Sequence, residues 1–366
     1  MYKTLLAVTL SLFLTSHRAF AQEVWPSHDW SVADDSSSAR WRDVQAYAFA
    51  ARDDSHREGV RTDALVVVKK GRIVYEHYGA PTTANTPHLT WSISKSVLAT
   101  VLGVAYGEGR FRLNDPVARF YPPMQAHPHV RLEDLLHWAS GLNWQENYEY
   151  APLHSSVVAM LYTRGRSDMA AFTAARPAAQ TPGQRFLYSS GDSNLLAAAL
   201  RTMLPPGHYA SYPWEALFTP LGIESAVWEK DPSGTFVGSS YLYMNARDLA
   251  RIGLLMLQNG RWQARQVVPQ EWVAFNRKLF DKDVAEPGEA NPGGHWWLNQ
   301  PLPGGARPWP DVPADTFAAL GHWGQALYVL PQEQIVVVRY ADDRDGRFQH
   351  NELLKRVLAA QAEGQP

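Results

Sequence analysis

Cysteine is absent from all 366 residues. That excludes disulfides, thiolate metal sites, a cysteine nucleophile and a lipidated N-terminal cysteine. Neither sign of charge dominates: 34 Lys and Arg face 36 Asp and Glu, with no basic run and no acidic tail. Nucleic acid and anionic membrane surfaces are therefore poor partners for this chain. Charged residues make up only 19% of the sequence and hydrophobic ones 45%. That is enough apolar material for a large core, in one domain or two interleaved lobes, that holds without disulfides. Beyond the N-terminus no stretch is long and apolar enough to cross a bilayer.

The N-terminus reads as a secretory signal. Lys3 supplies a positive start, Leu5 to Leu14 a largely apolar run, and Ala19-Phe20-Ala21 a small-x-small site with cleavage expected before Gln22. That run is too short to span a membrane. A cleaved signal over 1–21 leaves a mature 22–366 domain, periplasmic or secreted, with no stable membrane association.

Several segments carry clear local signals. Trp41 to Ala51 is helix-like. Ala64–Lys69 and Arg72–Tyr78 are β-rich runs around Lys70-Gly71, the mark of a hairpin. The apolar stretch at 93–107 reads as a helix. Leu113–Pro122 looks like a short helix stopped by proline, and 131–138 like another, ending at Ser140-Gly141. Helices are expected over 152–176 and 190–204, the second capped around Gly191-Asp192-Ser193. Asn245–Asn259 is amphipathic, with Leu249, Ile252, Gly253, Met256 and Leu257 on one face and Gly260 closing it. Residues 283–313, rich in Pro, Gly and Trp, show no period and read as a long loop. Runs at 316–320, 326–330 and 334–340 read as successive antiparallel strands, followed by a helix over 349–360. Strands near both ends with helices between predict an α/β chain of the α+β type. An antiparallel sheet, built from about 22–110 and 241–366, is flanked by helices, and an all-α lobe at about 111–240 is inserted. A cleft between such lobes is the default place for a site.

The candidate chemistry centres on Thr90-Trp91-Ser92-Ile93-Ser94-Lys95-Ser96, where a loop turns into that apolar helix. Ser92 and Lys95, three apart, share one helix face, with Ser92 at the positive end of the dipole beside free N–H groups. A serine needs a base to become a nucleophile, and a lysine becomes one when burial lowers its pKa. Taken singly, the pattern is better read as a capping serine followed by a solvated lysine. Tyr188, in Thr181-Pro-Gly-Gln-Arg-Phe-Leu-Tyr-Ser-Ser190, is either a core residue or a phenol that relays protons where a nearby cation stabilises its phenolate. Leu320-Gly-His-Trp-Gly-Gln325, between two strands, is either an ordinary hairpin turn or a source of oxyanion-binding N–H groups. His127-Pro128-His129 lacks a third ligand nearby, so no metal and no cofactor are expected. His137 reads as packing at a helix end. Trp296, Trp297 and Trp309 either line the cleft or stiffen their loop.

In order and spacing these motifs, with Leu135-Leu-His-Trp-Ala-Ser-Gly-Leu142, resemble the serine β-lactamase/penicillin-binding-protein superfamily in its class C-like esterase and amidase branch. The segments Trp91–Ser96 and Gly141-Leu-Asn-Trp-Gln-Glu-Asn-Tyr148 are especially similar to 6-aminohexanoate-dimer (nylon oligomer) hydrolases. The resemblance covers about 60–355. It implies that Ser92 is the acylated nucleophile, Lys95 its proton acceptor and Tyr188 the proton shuttle, with the N–H groups of Ser92 and Gln325 as oxyanion hole. It also places Tyr148, His322, Trp323 and Gly324 at the substrate. Two departures stand out. Lactam-cleaving members carry Lys-Thr-Gly where this chain has His322-Trp323-Gly324, and asparagine where it has Ser190. Both favour small esters or linear amides as substrates of a monomeric or homodimeric enzyme. The rival readings are β-lactamase or D-alanyl-D-alanine peptidase activity, acyl transfer on the same site, and a non-catalytic ligand-binding protein of this fold.

Overall fold

The computed structural model describes residues 24–26, 28–33, 39–149, 152–284 and 290–362. The signal-like segment 1–21 lies outside them.

Lys70 and Gly71 both adopt positive φ, at 50° and 78°. That is the two-residue turn whose twist matches antiparallel strands, and it joins β1 (Thr62–Lys69) to β2 (Arg72–Tyr78). The C-terminal runs form β5 (Phe317–Gly321), β6 (Gln325–Leu330) and β7 (Ile335–Ala341). β1 pairs with β7, so the two ends of the chain close one antiparallel sheet. Two strands inside the expected loop extend it: β3 (Asn291–Pro292) and β4 (Trp297–Leu298). The order is β3-β4-β5-β6-β7-β1-β2. The 283–313 segment is thus partly sheet. Two-residue strands display no period, so no alternation marked them.

Every residue of β7 is buried, because both faces of the sheet are covered. On one face Leu65, Val67 and Val337 pack against the short helix α1 (Arg42–Ala48) and the last helix, α5 (His350–Ala362). On the other, Val66, Val68 and Val336 join one large core with α2 (Ile93–Gly107), α3 (Ser190–Met203) and α4 (Ala246–Leu257). α4 lies so close to the sheet that a Cβ on Gly253 would sit 2.4 Å from Val336 Cγ1. Asn245 caps α4 by accepting from Asp248 N.

Between β2 and α4 the chain is largely helical and irregular. The expected helix at 113–122 is instead two 3-10 turns, Val117–Arg119 and Pro122–Ala126. Pro122 starts the second rather than stopping the first, since proline's fixed φ suits a helical first turn. The 152–176 region splits into Ser156–Tyr162 and Met169–Ala174. The cap of α3 is Ser189, whose hydroxyl accepts from Asp192 N, two residues before the glycine-containing tripeptide proposed for it.

Candidate active site

α2 is buried from Ile93 to Ala105, so a polar side chain there must find its partners inside the protein. Ser92 is its N-cap residue, yet its hydroxyl makes no capping bond. Lys95, one turn on and 1% exposed, donates from Nζ to Ser92 Oγ at 2.8 Å and to the Ser239 carbonyl at 2.9 Å. Ser239 is in turn held by Asn194 of α3, its N–H donating to Asn194 Oδ1 and its hydroxyl accepting from Asn194 Nδ2. Burial brings Lys95 down to about 8, against a smaller upward pull from the Glu146 carboxylate.

Tyr188 stands just before α3, and its phenol lies beside Ser92, the two lining one cleft. Its ring lies 5.0 Å from Lys95 Nζ, a cation–π contact that softens the cost of a buried ammonium. Desolvation, aided by Glu146, pushes the phenol above its ordinary pKa, with the neighbouring Ser92 hydroxyl opposing. The environment therefore keeps Tyr188 protonated. The phenolate invoked from sequence is disfavoured because burial and a neighbouring anion both oppose it.

The β5–β6 turn closes the third side. Trp323 and Gly324 take positive φ, 59° and 87°, to bring the chain round within three residues. A Cβ on Gly321 would lie 2.5 Å from the Thr90 carbonyl, so only glycine lets this edge approach the strand leading into Ser92. The Gln325 side chain faces inward, 1% exposed. Its amide donates to the Ala341 and His322 carbonyls and accepts from Ala341 N. These bonds fix where β6 begins.

Together these elements bound a cleft of about 470 Å³. Ser92, Tyr188, Tyr148, His322, Trp323 and Gly324 all line it, as do Trp144, Glu146 and Trp297. Tyr148 stacks on His322 at 4.8 Å, and both pack edge-on against Trp91. His322 Nε2 is bonded to Glu149 at 2.9 Å, joining the 143–149 loop to the hairpin turn across the mouth of the cleft.

Glu146 was not singled out from the sequence, although it sits inside the Gly141–Tyr148 segment. Its carboxylate accepts from Ser190 N at 2.9 Å, from Ser190 Oγ at 2.5 Å, and from the Trp144 indole. Ser190 is wholly buried, so it holds Glu146 rather than substrate. Of the three tryptophans, Trp297 lines the cleft, whereas Trp296 packs on Phe317 and Trp309 on Tyr328. His137 donates from Nδ1 to the Gly293 carbonyl at 3.1 Å and packs on Phe275 and Phe280. His127 is bonded to the Ala174 carbonyl. Among the described residues no group of three His, Asp or Glu is arranged to hold a metal.

The chain is similar to a 6-aminohexanoate-dimer hydrolase of Paenarthrobacter ureafaciens, 24% identical over 316 residues, which are 79% of this chain and 75% of that one. A solved structure assigned as a 6-aminohexanoate-dimer hydrolase from Bacillus anthracis shares the fold, with a TM-score of 0.70 at 20% identity. The match covers 94% of this chain and 89% of that one. A hydrolase with promiscuous acyltransferase activity, EstCE1, superposes with a TM-score of 0.65 at 14% identity, covering 88% and 98% of the two chains. The family model for Beta-lactamase matches residues 47–362. With that extent of match, the protein belongs to the beta-lactamase family and is a serine hydrolase.

Proposed function

We propose that the protein hydrolyses small esters or linear amides through an acyl-enzyme on Ser92. The observation that carries this reading is the 2.8 Å contact between Ser92 Oγ and a buried Lys95 Nζ, with the Tyr188 phenol beside the same serine and its ring 5.0 Å from that Nζ. Neutral Lys95 takes the Ser92 proton as Oγ bonds to the acyl carbon. The carbonyl oxygen becomes an oxyanion held by the N–H groups of Ser92, at the start of α2, and Gln325. As the scissile bond breaks, Tyr188 gives its proton to the departing oxygen or nitrogen and regains one from Lys95. Water then attacks the acyl carbon and its proton travels back by the same groups, restoring Ser92. A nucleophile, a base and a proton donor that all touch one another argue against a purely ligand-binding protein.

The cleft's electrostatics bear on substrate class. Of the residues lining it, Glu146 carries a formal charge and none is Lys or Arg. A carboxylate next to the scissile bond, which lactam and peptidase substrates bring, would meet that anion with no Lys or Arg in the lining to receive it. Aromatic walls from Trp144, Tyr148, Trp297 and Trp323 suit neutral acyl chains. The amide arm has further support in the likeness to the Paenarthrobacter ureafaciens protein, whose name describes hydrolysis of a linear amide dimer. The test is a panel of 4-nitrophenyl esters, linear amides, a chromogenic cephalosporin and D-Ala-D-Ala peptides, with amine acceptors added to detect acyl transfer. Esters or linear amides should be turned over fastest, a fluorophosphonate should label Ser92, and Ser92→Ala should lose at least about 10³-fold in kcat. Undiminished turnover in that variant, or a cephalosporin cleaved as fast as the esters, would overturn the proposal.

A further inference from the structure

His295 is completely buried, and none of the chemistry above uses it. It sits in the tight turn between β3 and β4 with φ at 61°, a conformation a non-glycine residue adopts at some cost. Its imidazole Nδ1 is 2.7 Å from the Leu136 carbonyl, which only a protonated Nδ1 satisfies. The ring is thereby held as the Nδ1–H tautomer, leaving Nε2 to accept from the Ser193 hydroxyl at 2.9 Å. Its own carbonyl accepts from Ser96 Oγ at 2.6 Å. Ser96 follows Lys95 on α2, and Ser193 lies in the first turn of α3, just after Tyr188.

The ring also stacks on Trp138, centroids 4.5 Å apart and 13° from parallel. Trp138 stacks on Trp297 at 5.3 Å, and Tyr188 leans on both indoles, at 5.0 Å and 5.4 Å. The turn that presents His295 is itself fixed: Asn276 Nδ2 donates to Gly294 O at 2.7 Å, and Gly293 N to Trp296 O at 2.8 Å.

From these contacts we infer that His295 is a positioning residue for acyl transfer. It clamps the Lys95 helix and the Tyr188 helix to one turn, and so sets the spacing of the base and the proton donor across Ser92. This rests on the Ser92 acyl-enzyme reading. The two helices also meet through Lys95, Ser239 and Asn194 and through a shared core; the His295 turn adds one bond to the start of each. Displacement of reacting groups by about 1 Å costs on the order of 10²-fold in rate.

The experiment measures kcat, KM and the pH profile of 4-nitrophenyl butyrate hydrolysis, with melting temperature, for His295→Ala, His295→Asn, Ser193→Ala, Ser96→Ala and the double serine variant. His295→Ala should lower kcat by about 10- to 100-fold with KM within about twofold, and displace the pH limb that reports Lys95. His295→Asn tolerates positive φ and restores a donor to Leu136, so it should recover part of the loss. Ser193→Ala deletes one hydroxyl and keeps the test open where His295→Ala fails to fold. It should lower kcat several-fold, and its effect should be less than multiplicative with Ser96→Ala, since both act through His295. Wild-type kcat and an unmoved pH limb in a folded His295→Ala or Ser193→Ala, whatever the melting temperature, would overturn the inference. Should wild-type Ser92 instead resist every acylating probe, the hydrolase reading fails by itself. The clamp is then judged by the Lys95 titration in ¹³C-lysine-labelled protein, which His295→Ala must shift; an unshifted titration would refute it.

Discussion

Raising the pH from 7 to 9 should speed acylation of Ser92 about tenfold and then bring it to a plateau. The cause lies in the burial of Lys95, which lowers its pKa to about 8. Only the neutral amine accepts the serine proton, and its fraction is then about 9% at pH 7 and about 91% at pH 9. An ordinary lysine near 10.4 would be about 0.04% neutral at pH 7 and would give a hundredfold rise over the same span with no plateau. The tenfold rise with a plateau therefore separates the two cases. The rate to follow is kcat/KM for 4-nitrophenyl butyrate, which reports the free enzyme; the limb belongs to the Ser92, Lys95 and Tyr188 system as a whole. Glu146→Gln sharpens the test. Burial lowers Lys95 and the Glu146 anion raises it, so removing the anion should move the limb to lower pH. A limb that stays put or moves up, or a wild-type profile still climbing steeply above pH 9, would refute the reasoning.

The same burial makes Lys95→Met a trade: turnover should vanish while the melting temperature rises, for a stability gain on the order of 1–3 kcal/mol measured by denaturant unfolding. The sign follows from linkage. The native lysine loses its proton near 8 and the unfolded one near 10.4. The cost is therefore fully present below pH 8 and is relieved as pH rises from about 8 to 10.4, so the advantage of the variant should shrink across that window. Asp192, beneath the start of α3, accepts from Ser140 Oγ at 2.8 Å, and burial raises it to about 7 despite that bond. Its native form holds a proton between about 4 and 7 where the unfolded chain does not, so it costs stability above pH 7 and not below about 4. Asp192→Asn should accordingly look more stable relative to wild type at pH 8 than at pH 5 in thermal melts; the opposite order would refute the assignment. Gly321→Ala drives a methyl into the Thr90 carbonyl at 2.5 Å. It should cut kcat by at least about tenfold by pushing the hairpin from Ser92, with little loss of secondary structure by circular dichroism.

Local signals carried the elements that fold from their own residues. Lys70-Gly71 fixed a hairpin because two positive-φ positions suit few other pairs. The helix at 93–107 was legible from its unbroken apolar run, and the amphipathic helix behind Asn245 from its period and its cap. The strands at 291–292 and 297–298 were not, because two residues have no period, and what joins their hairpin to the sheet is the pairing of 297–298 with the distant Phe317-Ala318. Glu146 was invisible as a site residue for a related reason. Its importance comes from Ser190 and Trp144 turning their donors toward it, and nothing around it in sequence marks a half-buried, hydrogen-bonded carboxylate.

By itself the sequence determined that Ser92 and Lys95 share a helix face, since three residues is nearly one helical turn. It also determined that this helix is buried, since apolar residues occupy almost all of its sides. Only the tertiary structure decided that Tyr188 meets Ser92, that Ser239 receives Lys95, and that His295 ties α2 to α3. Helical spacing is set by bonds between near neighbours, whereas these meetings depend on how distant segments pack, and packing has no signature in any single stretch of chain.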